Sequence, residues 1–172
     1  MERERMDYQQ CRRVWQRVAP ELEPYPEGPE AAVCPADWRL QRLEELIGEE
    51  LAERRAYLAA ARCAPAAAAR RCMQQLGREE GGHARRLAAL YFLLSGQCFR
   101  PNSVAGPEKT CPWRTLLRES WKRENWAAGQ YAQLARDCAD PGLRQLLEEL
   151  GRDEERHARL LLRLLEQNIL AF

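Results

Sequence analysis

Leu150-Gly151-Arg152-Asp153-Glu154-Glu155-Arg156-His157-Ala158-Arg159-Leu160-Leu161 decides the reading of this chain. The same stretch occurs 74 residues earlier, without a gap, as Leu76-Gly77-Arg78-Glu79-Glu80-Gly81-Gly82-His83-Ala84-Arg85-Arg86-Leu87. The offset also carries Glu50 onto Glu124 and Tyr57 onto Tyr131. His83 and His157 are the only two histidines, and each follows a glutamate by three residues. Each Glu-x-x-His is preceded, 30 residues upstream, by a glutamate that stands seven residues before a tyrosine.

Apolar spacing places these residues on four helices. The first is expected from about Trp38 to Arg62, with Leu43, Leu46, Ile47, Glu50 and Tyr57 on one face. Pro65 is expected to open the second, where a missing N–H does no harm. Its inward stripe is Leu76, Glu80, His83, Leu87, Leu90 and Leu94, which alternates steps of three and four. The third is expected from about Trp113 to Cys138, with Leu117, Trp121, Glu124, Tyr131 and Leu134 inward. Asp140-Pro141-Gly142 opens the fourth, whose stripe is Leu143, Leu147, Leu150, Glu154, His157, Leu161 and Leu164. Two short connections make two antiparallel pairs. The 17 residues from Gly96 to Pro112 can reach roughly 55 Å when extended, enough to run the length of a bundle. Two repeated hairpins joined by one long crossover describe an all-α, ferritin-like four-helix bundle.

Every candidate ligand therefore lies in an apolar stripe, where a bare charge is very costly to bury. A metal resolves that conflict. Glu80 and His83 share a helix face, as do Glu154 and His157, because residues three apart are neighbours on a helix. With Glu50 and Glu124 from the other two helices, four carboxylates and two imidazoles converge. That set can hold two metal ions, with the Glu-x-x-His carboxylates able to bridge them, as in di-iron and di-manganese carboxylate bundles. Oxygen-rich ligation with imidazole suits iron or manganese better than a soft metal.

Composition narrows the classes. With 172 residues the chain can form one sizeable core, and its net charge of +1 gives no reason to expect a nucleic-acid or membrane partner. No apolar run follows the charged start Met1-Glu2-Arg3-Glu4-Arg5, and the longest one, Leu87 to Leu94, is too short to span a bilayer. A cytoplasmic protein is expected. The seven cysteines are odd in number and contain no Cys-x-x-Cys, so most are expected as small buried side chains. Cys63 and Cys72 flank the Pro65 turn and can approach one another, but no bond between them is expected. Residues 1–37 stand apart from the bundle at 38–172. Tyr8, Cys11, Trp15 and Val18 make a short amphipathic helix, and Pro20 to Pro35 reads as an arm, a strap over the bundle or a contact in a homodimer. Gly81-Gly82 within a helix costs about 1 kcal/mol per glycine relative to alanine. Packing against that arm or a second subunit is the expected reason, ahead of a path for peroxide.

Residues 38 to 168 resemble the rubrerythrin family of ferritin-like proteins. The resemblance is carried by Glu50-x6-Tyr57, Glu80-Gly-Gly-His83-Ala-Arg-Arg-Leu87, Glu124-x6-Tyr131-x2-Leu134-Ala135 and Glu154-Glu-Arg-His157-Ala. It implies that Glu80 and Glu154 bridge two irons and that Glu50, Glu124, His83 and His157 are terminal ligands. It also implies that Tyr57 and Tyr131 hydrogen-bond ligand carboxylates, which makes them the candidate catalytic side chains beyond the ligands. Two departures stand out. The family's rubredoxin-like domain with paired Cys-x-x-Cys is missing, so turnover requires an external electron donor such as a rubredoxin-like protein. The family's extra glutamate, three residues after the third-helix ligand, is replaced by Ala127. Glu53 stands at the related place on the first helix and is either a substitute for it or a solvated neighbour of Arg54 and Arg55. The expected activity is reduction of hydrogen peroxide or oxygen at a non-haem di-iron centre. Ferrous oxidation with iron storage or carriage, a di-manganese catalase, and a bundle without turnover use the same residues and remain as alternatives.

Overall fold

The computed structural model describes residues 36–101 and 112–169. The N-terminal arm, up to residue 35, and most of the long connection lie outside the described residues. Four helices and no strand occur among the described residues: α1 Ala36–Cys63, α2 Ala67–Ser95, α3 Trp113–Arg136 and α4 Pro141–Ile169. Two antiparallel pairs, α1 with α2 and α3 with α4, form the bundle, and α2 also touches α4. None of the described helices is long and apolar enough to cross a membrane.

Local chemistry sets the helix ends. The Asp140 carboxylate accepts the Leu143 N–H at 2.8 Å, and Pro141 takes the first helical position. α2 stops at Gly96, which has φ 68° and donates its N–H to the Phe92 carbonyl at 2.8 Å. Pro65 does not open α2. It lies in the turn, and Ala66, extended at φ −135°, is the residue from which the helix departs. The proline's fixed φ shapes the turn, and no side chain caps that end.

The apolar side chains collect into two cores. One joins Leu43, Leu46 and Ile47 to Leu87, Leu90, Tyr91, Tyr131, Leu147 and Leu150. The other joins Tyr57, Ala60 and Ala61 to Met73, Leu76, Leu117, Leu161 and Leu164. The start of α1, the ends of α2 and α3 and the start of α4 therefore share one end of the bundle. Their opposite ends share the other, so α2 stops and α3 starts at opposite ends. Between the two cores lies a polar layer.

Two residues of the expected stripes face out. Leu94 is 50% exposed because it lies beyond Tyr91, the last buried residue of α2. Trp121 is 37% exposed, since the buried face of α3 runs through Leu117, Ser120, Glu124 and Tyr131 and leaves it at the edge. The cysteines differ from expectation as well. Among those described, Cys138 is buried, Cys72 is half-buried, and Cys63 and Cys98 are exposed. Cys63 and Cys72 are free thiols, not a disulfide.

Candidate metal centre

The polar layer contains Glu50, Glu80, His83, Glu124, Glu154 and His157, all buried. Each helix pair contributes three of them, at the middle of its helices, where the neighbouring turns are apolar. They form two groups, each compact enough to hold a metal ion: Glu50, Glu80, His83 and Glu154, and Glu80, Glu124, Glu154 and His157. Within each group the donor atoms lie within 4.8 Å of one another. Glu80 and Glu154 belong to both.

The imidazoles show how the groups are arranged. Their rings stack with centroids 5.5 Å apart. His83 Nδ1 faces Glu154 at 2.9 Å, Glu80 at 3.1 Å and Glu50 at 3.3 Å. His157 Nδ1 faces Glu80 at 2.9 Å and both Glu124 and Glu154 at 3.4 Å. Both Nδ1 atoms point inward, which leaves both Nε2 atoms pointing out.

A carboxylate from the opposite hairpin meets each outward nitrogen. Asp153 Oδ2 is 3.3 Å from His83 Nε2, and Glu79 Oε2 is 2.8 Å from His157 Nε2. Arg156 ties these two acids together, reaching Glu79 at 3.0 Å and Asp153 at 2.7 Å. An acid that accepts the Nε2–H fixes the tautomer and frees the Nδ1 lone pair for a metal. Neither acid was singled out in the sequence. The signal was present, since the 74-residue offset carries Glu79 onto Asp153, directly before Glu80 and Glu154.

The tyrosines complete the crossed pattern. Tyr57 donates to Glu124 and Tyr131 donates to Glu50, each from one hairpin to the other. Burial raises both phenols well above their usual range, and the facing carboxylates raise them further. Both hydroxyls therefore keep their protons as donors.

Charge is the difficulty of this layer. Burial raises Glu50 to about 8, His83's hydrogen bond notwithstanding, and burial likewise raises Glu124 well above its ordinary value. Burial opposes charge on His83, but the facing carboxylates of Glu154, Glu50 and Glu80 outweigh it and push the imidazole up to about 12. His157 is raised in the same way by Glu124, Glu154 and Glu80 against its burial. Burial also acts to raise Glu80 and Glu154, yet the two imidazolium rings hold both below the usual range. Several inward atoms still have no hydrogen-bond partner: Glu50 Oε2, Glu80 Oε1, Glu124 Oε2, both oxygens of Glu154 and His157 Nδ1. Buried polar groups are nearly always satisfied. Unsatisfied carboxylate oxygens aimed at one another are what a bound cation would neutralise, so the donor set fits metal.

Glu53 is in neither group. It is not a solvated neighbour of Arg54 and Arg55 either. Its side chain is 17% exposed and lies 3.5 Å from Arg123 of α3. Burial, then the charge of Glu80, raises it to about 7. The glycine pair is also partly explained. A Cβ on Gly81 would stand 3.0 Å from the Arg54 side chain, so α1 crowds that position. Nothing lies within 4 Å of a Cβ on Gly82.

The chain matches no protein-family model, no curated protein and no solved structure.

Proposed function

We propose that this chain is a di-iron carboxylate protein of the rubrerythrin kind, on a ferritin-like bundle, that reduces hydrogen peroxide or oxygen with electrons from an external donor. The observation that carries this reading is the sharing of Glu80 and Glu154 by both four-residue groups. Two shared and two private carboxylates, with one imidazole on each side, are a donor set for two ions close together. Charge supports the count. Four carboxylates balance two divalent cations with both imidazoles neutral. Iron is favoured by oxygen-rich ligation with imidazole, and manganese fits the same donors.

In this reading Glu80 and Glu154 would be shared by both ions, with Glu50 and His83 holding one and Glu124 and His157 the other. When bound, the ions supply Lewis acidity and the two electrons that cleavage of a peroxide requires. The chain's own groups do the rest. Asp153 and Glu79 hold the protons on the two Nε2 atoms. Tyr57 and Tyr131 orient Glu124 and Glu50 and keep a proton on each phenolic oxygen next to the site. The two apolar cores exclude bulk water from both ends of the polar layer.

Metal analysis of protein produced with ample iron and manganese, followed by peroxide consumption with and without reductant, tests the proposal. Close to two iron ions per chain and a single round of peroxide reduction that resumes on addition of a donor are expected. Metal-free protein under those conditions would refute it. Oxygen evolved from peroxide without reductant would replace it by a catalase, and many ferrous ions oxidised and retained per chain by iron storage.

A further inference from the structure

The two sides of the polar layer are not equally accessible. Glu50 is 5% exposed and His83 3%, whereas their counterparts Glu124 and His157 are both 0%. Glu50 borders a groove of about 310 Å³ between α1 and α3. Its floor is Glu50 and Tyr131, and its walls include Leu46, Ala56, Trp126 and Ala127. Small side chains hold it open. Glu53 also lines it, but its counterpart at the 74-residue offset is Ala127, which leaves the α3 wall one carboxylate short. Trp126 is 54% exposed, so an indole face stands over the opening.

The groove is oversized for peroxide or oxygen. A water molecule takes roughly 30 Å³ of liquid volume, and hydrogen peroxide and dioxygen have two heavy atoms each. Sites for organic molecules begin at about 300 Å³ and are mostly apolar with a few polar groups at one end. Most of the surface inside this groove is apolar, from its alanines, Leu46 and Trp126, with Tyr131 and Glu50 buried beneath and Glu49, the Glu53–Arg123 pair and Gln130 also in its lining.

We propose that the groove admits an organic hydroperoxide with an apolar substituent, its peroxy end toward Glu50 and its hydrocarbon along Leu46, Ala56, Ala127 and Trp126. This rests on the di-iron reading and names the substrate class for it. The reaction is ROOH + 2 H⁺ + 2 e⁻ → ROH + H₂O. The O–O bond breaks, the peroxide is reduced, an external one-electron carrier is oxidised twice, and both protons come from water. The alcohol leaves by the same groove.

Two measurements on the full chain test it. The first needs no metal: cumyl alcohol, the product of cumene hydroperoxide, is titrated while tryptophan fluorescence is followed. A saturable change is expected in the unaltered chain and about tenfold weaker binding in A127L, where a leucine fills the groove. A56L, on the opposite helix, guards against a fold defect in the first variant. The second measurement compares reduction of cumene hydroperoxide with that of hydrogen peroxide in iron-loaded, reduced protein. The preference for the organic peroxide should fall about tenfold in both variants. A chain that reduces hydrogen peroxide but neither binds cumyl alcohol saturably nor reduces cumene hydroperoxide overturns the inference and leaves the di-iron reading standing. Equal loss of both peroxide activities in A127L and A56L overturns the substrate class. A chain that binds cumyl alcohol but reduces neither peroxide overturns the di-iron reading, and the hydroperoxide assignment with it.

Discussion

The two hairpins are alike where they face each other and different one layer out. Glu50 and Glu124, Glu80 and Glu154, His83 and His157, Tyr57 and Tyr131, and the acids Glu79 and Asp153 all correspond at one offset. All of them make contacts that cross from one hairpin to the other. Outside that set the correspondence is partial: Gly77, Arg78 and Arg85 have identical counterparts, but Glu53 corresponds to Ala127, Arg54 to Ala128, and Gly81-Gly82 to Glu155-Arg156. The matched set holds all six inward donors, whereas Glu53 and Arg156 reach across to Arg123 and Glu79 without a matching counterpart in the other half. The differences give the centre one open side and one closed side.

The largest effect should come from breaking the shared pair. Glu80→Ala or Glu154→Ala removes a donor from both groups, so each is expected to lose nearly all bound metal. Glu50→Ala and Glu124→Ala each remove a donor from one group and should leave about one ion per chain. Metal analysis together with thermal unfolding reads this. An ion present at a thousand times its Kd stabilises the fold by about 4 kcal/mol, so the shared-pair variants should also lose the metal-dependent rise in Tm. Equal metal loss in all four variants would show that the two groups are not separable.

Protons provide the next test. In the metal-free chain Glu50 is raised to about 8 and His83 to about 12, and Glu124 and His157 are raised as well. Both imidazoles hold a proton at pH 7 and Glu50 mostly does, Glu124 is shifted in the same direction, and Glu80 and Glu154 are held below the usual range. The sign follows from the raised values. Stability from imidazolium His83 is fully present below its unfolded value near 6.5 and is lost as pH rises through about 12. Protonated Glu50 behaves alike, favouring the fold below about 4.5 and losing that advantage as pH rises through about 8. Ligands must shed these protons to bind metal, so metal uptake at pH 7 should release protons, up to about four per chain, and affinity should rise with pH. Calorimetry in buffers of different protonation enthalpy measures the number. A release near zero would mean that the metal-free carboxylates are already ionised.

A smaller effect should separate the outer acids from the tether between them. Asp153→Asn and Glu79→Gln weaken the hold on one histidine each, and partners of this type contribute about 10–100-fold in metal affinity. Arg156→Gly makes the second hairpin resemble the first at this position. It leaves both acids in place and should cost less than either of those variants. If Arg156→Gly costs more than Asp153→Asn, the tether and not the acid orients the ring.

How much of this was legible in the sequence depends on the kind of contact. The helices were legible because their stripes repeat and because Asp140-Pro141 and Gly96 mark their ends. Pro65 misled by two residues, since a proline fits the loop before a helix as well as its first position. Leu94 and Trp121 have the right period, but period does not say where a facing helix stops or where the centre of a buried face runs. The six inward donors could be grouped from spacing alone because each lies in an apolar stripe. Glu79 and Asp153 lie off those stripes and look like solvated acids until the opposite hairpin is in place. The groove could not be read at all. It is made by what Ala56 and Ala127 lack, on helices joined by no short connection.

The smallest expected effect tests the glycine pair, where the two hairpins differ most in local chemistry. Gly82 has nothing within 4 Å of an added Cβ, so Gly82→Ala should gain most of the helix preference of alanine, about 1 kcal/mol. Gly81 is different. An added Cβ there stands 3.0 Å from Cδ and Nε of Arg54. That side chain can move, but only by giving up its place against α2. Gly81→Ala should therefore gain less than Gly82→Ala or lose stability, and the gap between them measures the contact of Arg54 with α2. Chemical denaturation of the metal-free chain is the measurement, because bound metal would mask a difference this small. The double variant Arg54→Ala with Gly81→Ala should recover the gain that Gly81→Ala lacks alone, as expected for residues in contact. If Gly81→Ala and Gly82→Ala stabilise equally, Arg54 does not hold that position, and the glycine at 81 has no explanation in the packing of α1.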